Sequence, residues 1–300
     1  MKRRTALSLL IVVSAFSHAI PGYPRPPQGA QQPDPSALEV QKVRDNLYVV
    51  KGGGGTTTIF VTSAGVVVID TKNPGWGKAL LEKIKTITDK PVITLINTHS
   101  HPDQTGGNID FPPGVEIIVQ ENTKKNMEIM DIFKTGKGMP TKTFKDKMSL
   151  FSGNDKIDLY YFGVGGTDGD AWVVFPALRT MAAGDGCSGR HLSIIPNVSS
   201  GGNFVGYPDT FSRMLSSIKN VDTVIPGHDD VLTWNDLKVC ADFYKEFLTW
   251  TEAEKKAGKS VDEAVGDYQI PDRYKAQGYT PGVARAVRMN IQGIYNELKN

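Results

Sequence analysis

The chain has 300 residues, of which 39% are hydrophobic and 22% are charged. This length can bury a substantial core in one large domain or two small ones, and the composition excludes an intrinsically disordered chain and a membrane bundle. The formal net charge is +2, but three basic residues lie in an N-terminal segment that we expect to be removed. Without them, 31 basic residues face 32 acidic ones, so the charge gives no indication of nucleic-acid binding.

Residues 1–19 have the pattern of a signal peptide. Basic residues at positions 2–4 precede a short apolar run at 6–16, and Ser17-His18-Ala19 offers a small-x-small cleavage site. The run is too short to span a bilayer comfortably, so we expect no membrane span after cleavage; a retained anchor is the alternative. The sequence therefore predicts an exported protein, periplasmic or extracellular, in which the Pro/Gln-rich residues 20–37 form a linker.

Strand and helix patterns alternate after the linker, as is typical of an α/β domain. The predicted strands are residues 47–50, 57–61, 66–69, 92–96, 115–119, 158–162, 172–175, 178–182 and 223–225. The predicted helices are residues 78–87, 121–133 and 208–219, and residues 134–147 are predicted to be a basic surface loop. The chain is predicted to be helical from Asn235 onward, which gives a domain at 38–245 and a helical extension at 246–300 packed on the same domain.

Two imidazoles and a carboxylate follow the predicted strand at 92–96. His99, His101 and Asp103 alternate along the chain, so on an extended or turning backbone all three can face one pocket. Imidazole and carboxylate are common ligands of zinc. A lone His-x-His is weak evidence, but the strand in front and the adjacent Asp103 make a metal site the favoured interpretation over packed core histidines.

Three further strand ends carry related residues. Residues 163–170 form a Gly-rich loop with two acids, Asp185 follows the strand at 178–182, and His228 follows the strand at 223–225. The carboxyl ends of parallel strands meet at one edge of a sheet, where ligands bind. The sequence therefore predicts that these residues and the histidine cluster form one site.

With these motifs in order, the sequence resembles the metallo-β-lactamase superfamily of metal-dependent hydrolases from about Leu38 to Leu237. The resemblance implies an α/β fold, a four-layer αβ/βα sandwich with its site along one edge of two facing sheets. It implies zinc as the cofactor and a structural role for Asp70 behind the ligands. The metal ligands that it implies are His99, His101, Asp103, Asp185 and His228.

Two positions depart from the family pattern. Gln104 stands where the His-x-His-x-Asp-His signature has its last histidine, and Gly166 stands where the family has the third histidine of the first metal. Each metal position has thus lost one nitrogen ligand. We therefore expect one zinc ion rather than two, with no metal at all as the other alternative.

Two residues near Asp185 could compensate for the lost ligands. His191 could turn toward the pocket, or it could be a surface or supporting histidine; Cys187 could supply a thiolate, or it could be a small packed side chain. A disulfide between Cys187 and Cys240 is compatible with export, but the spacing does not establish it. Asp168 and Asp170 could orient loops or contact ligands, but we interpret them as carboxylates that form turns.

Two functions are favoured over a third, a purely structural module, because five of the seven ligand positions survive. The first is an exported hydrolase with one zinc ion, in which metal-bound hydroxide attacks a small ester, lactam, lactone or similar substrate and Asp103 orients the nucleophile or carries a proton. The second is a non-catalytic member of the fold that binds a small molecule or a protein partner. The ligand positions that are kept favour the first, whereas Gln104 and Gly166 favour the second. The sequence does not indicate the substrate or the oligomeric state.

Overall fold

The computed structural model describes residues 33–193 and 200–298. The predicted signal peptide and most of the predicted linker lie outside these ranges. The strands are β1 (Glu39–Arg44), β2 (Leu47–Lys51), β3 (Thr57–Val61), β4 (Val66–Ile69), β5 (Val92–Ile96), β6 (Glu116–Gln120), β7 (Lys142–Phe144), β8 (Lys147–Leu150), β9 (Ile157–Tyr161), β10 (Ala171–Phe175), β11 (Thr180–Gly184), β12 (Thr223–Pro226) and β13 (Leu232–Thr233). The α-helices are α1 (Gly77–Lys85), α2 (Pro102–Thr105), α3 (Glu121–Glu128), α4 (Tyr207–Ser217), α5 (Trp234–Lys256), α6 (Val261–Asp267), α7 (Asp272–Lys275) and α8 (Ala286–Glu297).

The strands form two sheets that share one buried interface. The first sheet has the order β1 to β7, and the second has the order β13-β12-β11-β10-β9-β8. Alternation along the strands assigns each side chain to a face. In β4, for example, Val67 and Ile69 pack between the sheets, whereas Val66 and Val68 pack on the outer face with α1.

Helices cover both outer faces. The outer face of the first sheet packs on α1 through Leu80 and Ile84, and the outer face of the second sheet packs on α4 and α5 through Phe211 and Phe243. The four-layer αβ/βα sandwich predicted from the sequence is therefore confirmed.

The carboxyl ends of several strands meet at one edge. Strands β4 and β5 are parallel neighbours in the first sheet, and β11 and β12 are parallel neighbours in the second. Backbone hydrogen bonds join the two sheets at this edge, from Ala171 to Thr98 (2.7 Å) and from Thr56 to Gly227 (2.6 Å). The segments that follow these strands, including the histidine cluster, are thereby held side by side.

The structure corrects several predicted elements. The helix predicted at 121–133 ends at Glu128. Residues 142–144 of the predicted loop form strand β7, and the last residue of that loop, Lys147, begins strand β8; these two strands lie at the edges of the two sheets. Lys142 of β7 and Lys147 of β8 are exposed, and the two strands therefore lack the apolar pattern of a central strand. The strand predicted at 178–182 begins two residues later, because residues 176–178 form a 3₁₀ turn. Strand β1 was not predicted.

The C-terminal helices pack on the second sheet's side of the domain. Residues of α5 and α8, among them Phe247 and Ile294, belong to the same buried cluster as Trp172 of β10. Within the described ranges, none of the helices has the length and apolar character needed to cross a membrane.

Candidate metal centre

Three side chains form a group that could hold a metal ion. His99, His101 and Asp185 each direct one ligand atom to a common point, with all of these atoms within 4.8 Å of one another. Asp185 Oδ2 lies 3.5 Å from His99 Nε2 and 3.7 Å from His101 Nδ1. His99 is 1% exposed. We call these three residues the metal group.

A chain of hydrogen bonds orients His99. The backbone N–H and the hydroxyl of Thr98 both donate to the Asp70 carboxylate, each at 2.8 Å. Because the Thr98 proton is used there, Thr98 Oγ1 accepts from His99 Nδ1 at 3.0 Å. In the neutral ring, this fixes the tautomer that leaves the lone pair on His99 Nε2, which is the arrangement found around metal-bound histidines. A metal ion would then take the place of the second proton, which Asp185 stabilises in the metal-free site.

His99 Nε2 has no hydrogen-bond partner among the described residues, although it is buried. A buried polar atom without a partner costs free energy, and a metal ion coordinated at this nitrogen would remove that cost. Nitrogen and oxygen donors in this combination suit zinc. The metal group therefore fits the ion that the sequence predicts.

A second pair of side chains lies on the outer side of Asp185. His228 Nε2 is 3.1 Å from Asp103 Oδ2 and 3.4 Å from Asp185 Oδ1. The side chains of His228 and Asp103 are 34% and 27% exposed, against 13% for Asp185. The pair thus lies closer to solvent than the metal group and shares Asp185 with it.

Opposite charges dominate the electrostatics of the metal-free site. The Asp185 carboxylate, against the effect of burial, raises the pKa of His228 to about 11. Burial alone would lower the pKa of His99, but Asp185 outweighs it and raises that pKa to about 9. Burial would raise the pKa of Asp103, but its bond to His228 holds it below the ordinary value. Asp103 and His228 therefore form a carboxylate–imidazolium pair.

Glycine allows the two sheets to meet closely at this site. Gly184 at the end of β11 has φ +49°, and a Cβ there would overlap the Thr98 side chain. A larger residue would therefore push the β11 end, with Asp185, away from Thr98 and His99. Glycine therefore precedes Asp185 for a local reason, since a glycine at position 184 is needed to bring Asp185 to the histidines.

The Gly-rich loop after β9 reaches the same edge and carries no metal-ligating side chain of its own in the metal group. Its Asp170 is buried and accepts hydrogen bonds from Gly166 N (2.7 Å), Thr167 N (3.0 Å) and Thr167 Oγ1 (2.5 Å). Burial raises the pKa of Asp170, while the nearby His99 charge lowers it. Asp170 is thus a carboxylate that forms a turn, as predicted, and it is buried beside the metal group, where it braces the loop.

Gln104 is fully buried, yet neither atom of its amide has a hydrogen-bond partner in the described parts of the chain. The amide packs directly against Gly55, at the Gly-rich end of the β2–β3 hairpin. Gly55 N in turn donates to the carbonyl of Asp103 at 3.0 Å. Gln104 therefore lies behind Asp103 and is not a member of the metal group.

The two residues suggested as substitute ligands lie beside the centre. The backbone of His191 pairs with Thr280, and burial lowers the pKa of its imidazole. Cys187 is fully buried in the helical core, where its Sγ lies 2.6 Å from that of Cys240; both are free thiols. Neither His191 nor Cys187 belongs to the metal group.

Sequence analysis missed two supporting side chains. Thr98 orients His99, but a threonine at the end of a strand is common, and nothing in the sequence indicates this role. Lys72 is fully buried and donates to the carbonyls of Val50 (2.5 Å) and Gly55 (2.6 Å), and burial lowers its pKa to about 7. It follows Asp70 by two residues, and no pattern in the sequence marks it as buried.

Comparison with known proteins agrees with this geometry. Residues 50–228 match the family model described as the metallo-beta-lactamase superfamily. A metallo-beta-lactamase type 2 of Elizabethkingia meningoseptica is 31% identical over 220 residues, which are 66% of this chain and 80% of that protein. A metallo-beta-lactamase type 2 of Bacillus cereus is 26% identical over 172 residues, 57% of this chain and 65% of that protein.

Solved structures share the fold. The stereoselective inverting sec-alkylsulfatase Pisa1 from Pseudomonas sp. superposes with a TM-score of 0.75 at 14% identity, over 87% of this chain. The chain spans only 50% of that enzyme's length. A metallo-beta-lactamase from Pontibacter korlensis superposes with a TM-score of 0.60 at 22% identity, over 69% of this chain and 99% of its own length.

Proposed function

This chain belongs to the metallo-beta-lactamase superfamily, and from that premise we propose that it is an exported hydrolase that uses one zinc ion. The proposed substrates are small esters, lactams, lactones or similar molecules. The observation that supports this most strongly is the metal group, in which the buried His99 Nε2 has no hydrogen-bond partner among the described residues and lies 3.5 Å from Asp185 Oδ2.

One ion is proposed rather than two because the outer donors already satisfy each other. Asp103 and His228 form an ion pair at 3.1 Å, and a second ion would have to displace the proton of His228. The neutral amide of Gln104 packs on Gly55 and would have to leave that position to coordinate. Both observations support a single ion in the metal group.

Each residue of the centre has a proposed part in hydrolysis. His99, His101 and Asp185 would hold the ion, and Asp70 and Thr98 keep His99 in the required tautomer. When bound, zinc supplies a water whose pKa is lowered to about 7 and polarises the substrate oxygen. Asp103 lies at the solvent side of the metal group, where its carboxylate could accept the water's proton, and His228 could return a proton to the leaving group.

The test compares the zinc-loaded protein with variants. We expect hydrolysis of a chromogenic cephalosporin or of p-nitrophenyl acetate by the wild type, and a loss of roughly 100-fold or more in His101→Ala and after chelation. Lys238→Ala, an exposed change on α5, serves as the control and keeps full activity. Zinc content near zero after loading, or equal hydrolysis by His101→Ala, would contradict the proposal.

A non-catalytic binding protein is the second candidate. The family resemblance implies a third nitrogen ligand at position 166, and the glycine there offers no ligand atom from a side chain. If the protein binds zinc in the metal group but hydrolyses neither class of substrate, this second function replaces the first. A shift in melting temperature on adding intact cephalosporin or ester would then identify the ligand.

Export is proposed from residues 1–19, which lie outside the described ranges. The proposal predicts that the expressed full chain loses this segment and appears outside the cytoplasm. Fractionation of the expressing cells, with mass measurement of the recovered protein, tests it. A full-length product retained in the cytoplasm would contradict it.

A further inference from the structure

The two cysteines of the chain meet in the buried cluster between the second sheet and its helices. Cys187 lies in the 3₁₀ turn after β11, and Cys240 lies in α5. Both side chains are 0% exposed, and their sulfur atoms are 2.6 Å apart. A disulfide bond is about 2.0 Å long, so the two sulfur atoms lie only slightly beyond bonding distance.

The surroundings of the pair do not suit a metal-binding or catalytic role. Among the described residues, neither cysteine belongs to a group that could hold a metal ion. A catalytic thiol has to reach its substrate as a thiolate, but both side chains are closed off from solvent, and burial raises the pKa of Cys240 well above its usual range. Bond formation between the two sulfur atoms is the chemistry that this placement allows.

The turn that carries Cys187 also carries Asp185 of the metal group. Its carbonyls hold the segment that follows β12. The carbonyl of Cys187 accepts from Gly227 N at 3.3 Å, and the carbonyl of Ser188 accepts from His228 N at 3.0 Å. A covalent bond from Cys187 to α5 would therefore fix the backbone that positions both Asp185 and His228.

We propose that Cys187 and Cys240 form a disulfide in the exported protein, and that this bond anchors the turn of Asp185 to α5. The inference rests on the proposed function in two respects, since export brings the chain to an oxidising compartment and Asp185 belongs to the metal group. The bond would join residues 53 positions apart. Closing a loop of this length strongly restricts the unfolded chain and so stabilises the folded one.

The oxidant in such a compartment is another disulfide, of a protein or of a small thiol. One cysteine attacks it as the thiolate, forms a mixed disulfide and releases one thiol. The other cysteine then attacks the mixed disulfide, which forms the bond between Cys187 and Cys240 and releases the second thiol. The two cysteines lose two protons and two electrons in total, and the oxidant takes up both. Because the folded pair is buried, this exchange takes place while the chain folds.

The first test counts thiols. The full chain is expressed in cells with an oxidising cytoplasm, so that neither export nor refolding is required, and in ordinary cells as the reduced reference. Each purified protein is unfolded and alkylated with iodoacetamide, and its mass is measured. The proposal predicts no alkyl group in the first protein and a peptide map that links Cys187 to Cys240. Two alkylated cysteines in the first protein, or a disulfide between two chains, would overturn the proposal.

The second test compares melting temperatures of the two metal-free preparations. The oxidised wild type should melt roughly 5–10 °C above the reduced wild type. Cys240→Ala cannot form the bond, so its two preparations should melt alike. Lys238→Ala, an exposed change on the same helix, should show the wild-type difference. Equal melting of the two wild-type preparations, or a difference that persists in Cys240→Ala, would contradict the inference.

Zinc binding tests the anchoring role. The oxidised wild type should bind zinc roughly 10-fold more tightly than the reduced wild type, because the bond holds the turn that carries Asp185. Equal affinities would overturn this role. If neither preparation takes up zinc, the proposed function is wrong, and the thiol count and the melting temperatures still decide whether the bond forms.

Discussion

Two loops at the same sheet edge are built alike but carry different chemistry. The β5 loop (97–105) is braced by Asp70, which accepts from the Thr98 hydroxyl, and the β9 loop (162–170) is braced by Asp170, which accepts from the Thr167 hydroxyl. The first loop delivers two imidazoles, whereas the second delivers Gly166. Both loops thus have a carboxylate brace, but of the two only the β5 loop supplies side chains to the metal group. Bracing and metal ligation are separable in this fold.

The largest effect on zinc affinity is expected at Asp185, which joins the metal group to the pair of Asp103 and His228. Asp185 contacts His99, His101 and His228, so Asp185→Ala should lower zinc affinity by roughly 1000-fold or more, about 4 kcal/mol. Isothermal titration calorimetry measures the change, with exposed Asp89→Ala as the control. An affinity within a few-fold of wild type would mean that the ion binds elsewhere.

A matched pair of threonine variants tests the comparison directly. Thr98→Val removes the hydroxyl that orients His99, and zinc affinity should fall by roughly 10- to 100-fold. Thr167→Val removes the corresponding hydroxyl in the β9 loop, where no ligand depends on it, and zinc affinity should change by less than about 3-fold. Each variant leaves a buried carboxylate short of one donor and should lose about 1–3 kcal/mol in urea unfolding. Equal losses of zinc affinity would refute the proposed separation.

The same two loops show how much of the candidate site could be predicted from the sequence. The ligand candidates of the β5 loop could be predicted because His99, His101 and Asp103 are close along the chain and follow an apolar strand. The supporting residues could not be predicted, because a threonine or a turn carboxylate looks the same in the sequence whether it braces a site or faces solvent. Asp170 was interpreted as a turn residue for this reason, and its burial becomes visible only when the sheets are assembled.

The strands show the same limit of prediction from the sequence. Central strands such as β4 are continuous apolar runs, which a sequence pattern identifies. Strands β7 and β8 lie at the sheet edges and contain lysines, as edge strands often do, so their composition resembled a basic loop. The sandwich was predicted, but the strands that close its two sheets were not.

The packing of the β9 loop gives a prediction about stability. Gly169→Ala should cost about 1–3 kcal/mol, because the added methyl group meets the backbone of Thr123. Gly166→Ala should cost less than about 1 kcal/mol, because its methyl group has room. Urea unfolding of the two variants checks the difference. The reverse order would mean that Gly166 is the more tightly packed of the two glycines.

The smallest effect on zinc affinity is expected at Glu297, in the C-terminal helix that supports the β9 loop from a distance. Glu297 of α8 accepts from the backbone N–H groups of Phe204 (3.0 Å) and Val205 (2.8 Å), and Asn203 N donates to the Gly165 carbonyl at 3.1 Å. Glu297→Gln keeps one acceptor but loses the charge, so unfolding free energy should fall by about 1 kcal/mol. Zinc affinity should stay the same, and a loss of zinc would show that α8 also positions the metal group.

The central claim is that one buried group, His99, His101 and Asp185, binds a single zinc ion while Asp103 and His228 satisfy each other. The most direct test is the zinc stoichiometry of the purified protein, measured by elemental analysis after loading and dialysis, for the wild type and for His101→Ala. The account predicts about one zinc per chain in the wild type and close to none in the variant. Two zinc ions per wild-type chain, none, or an unchanged value in His101→Ala would contradict it.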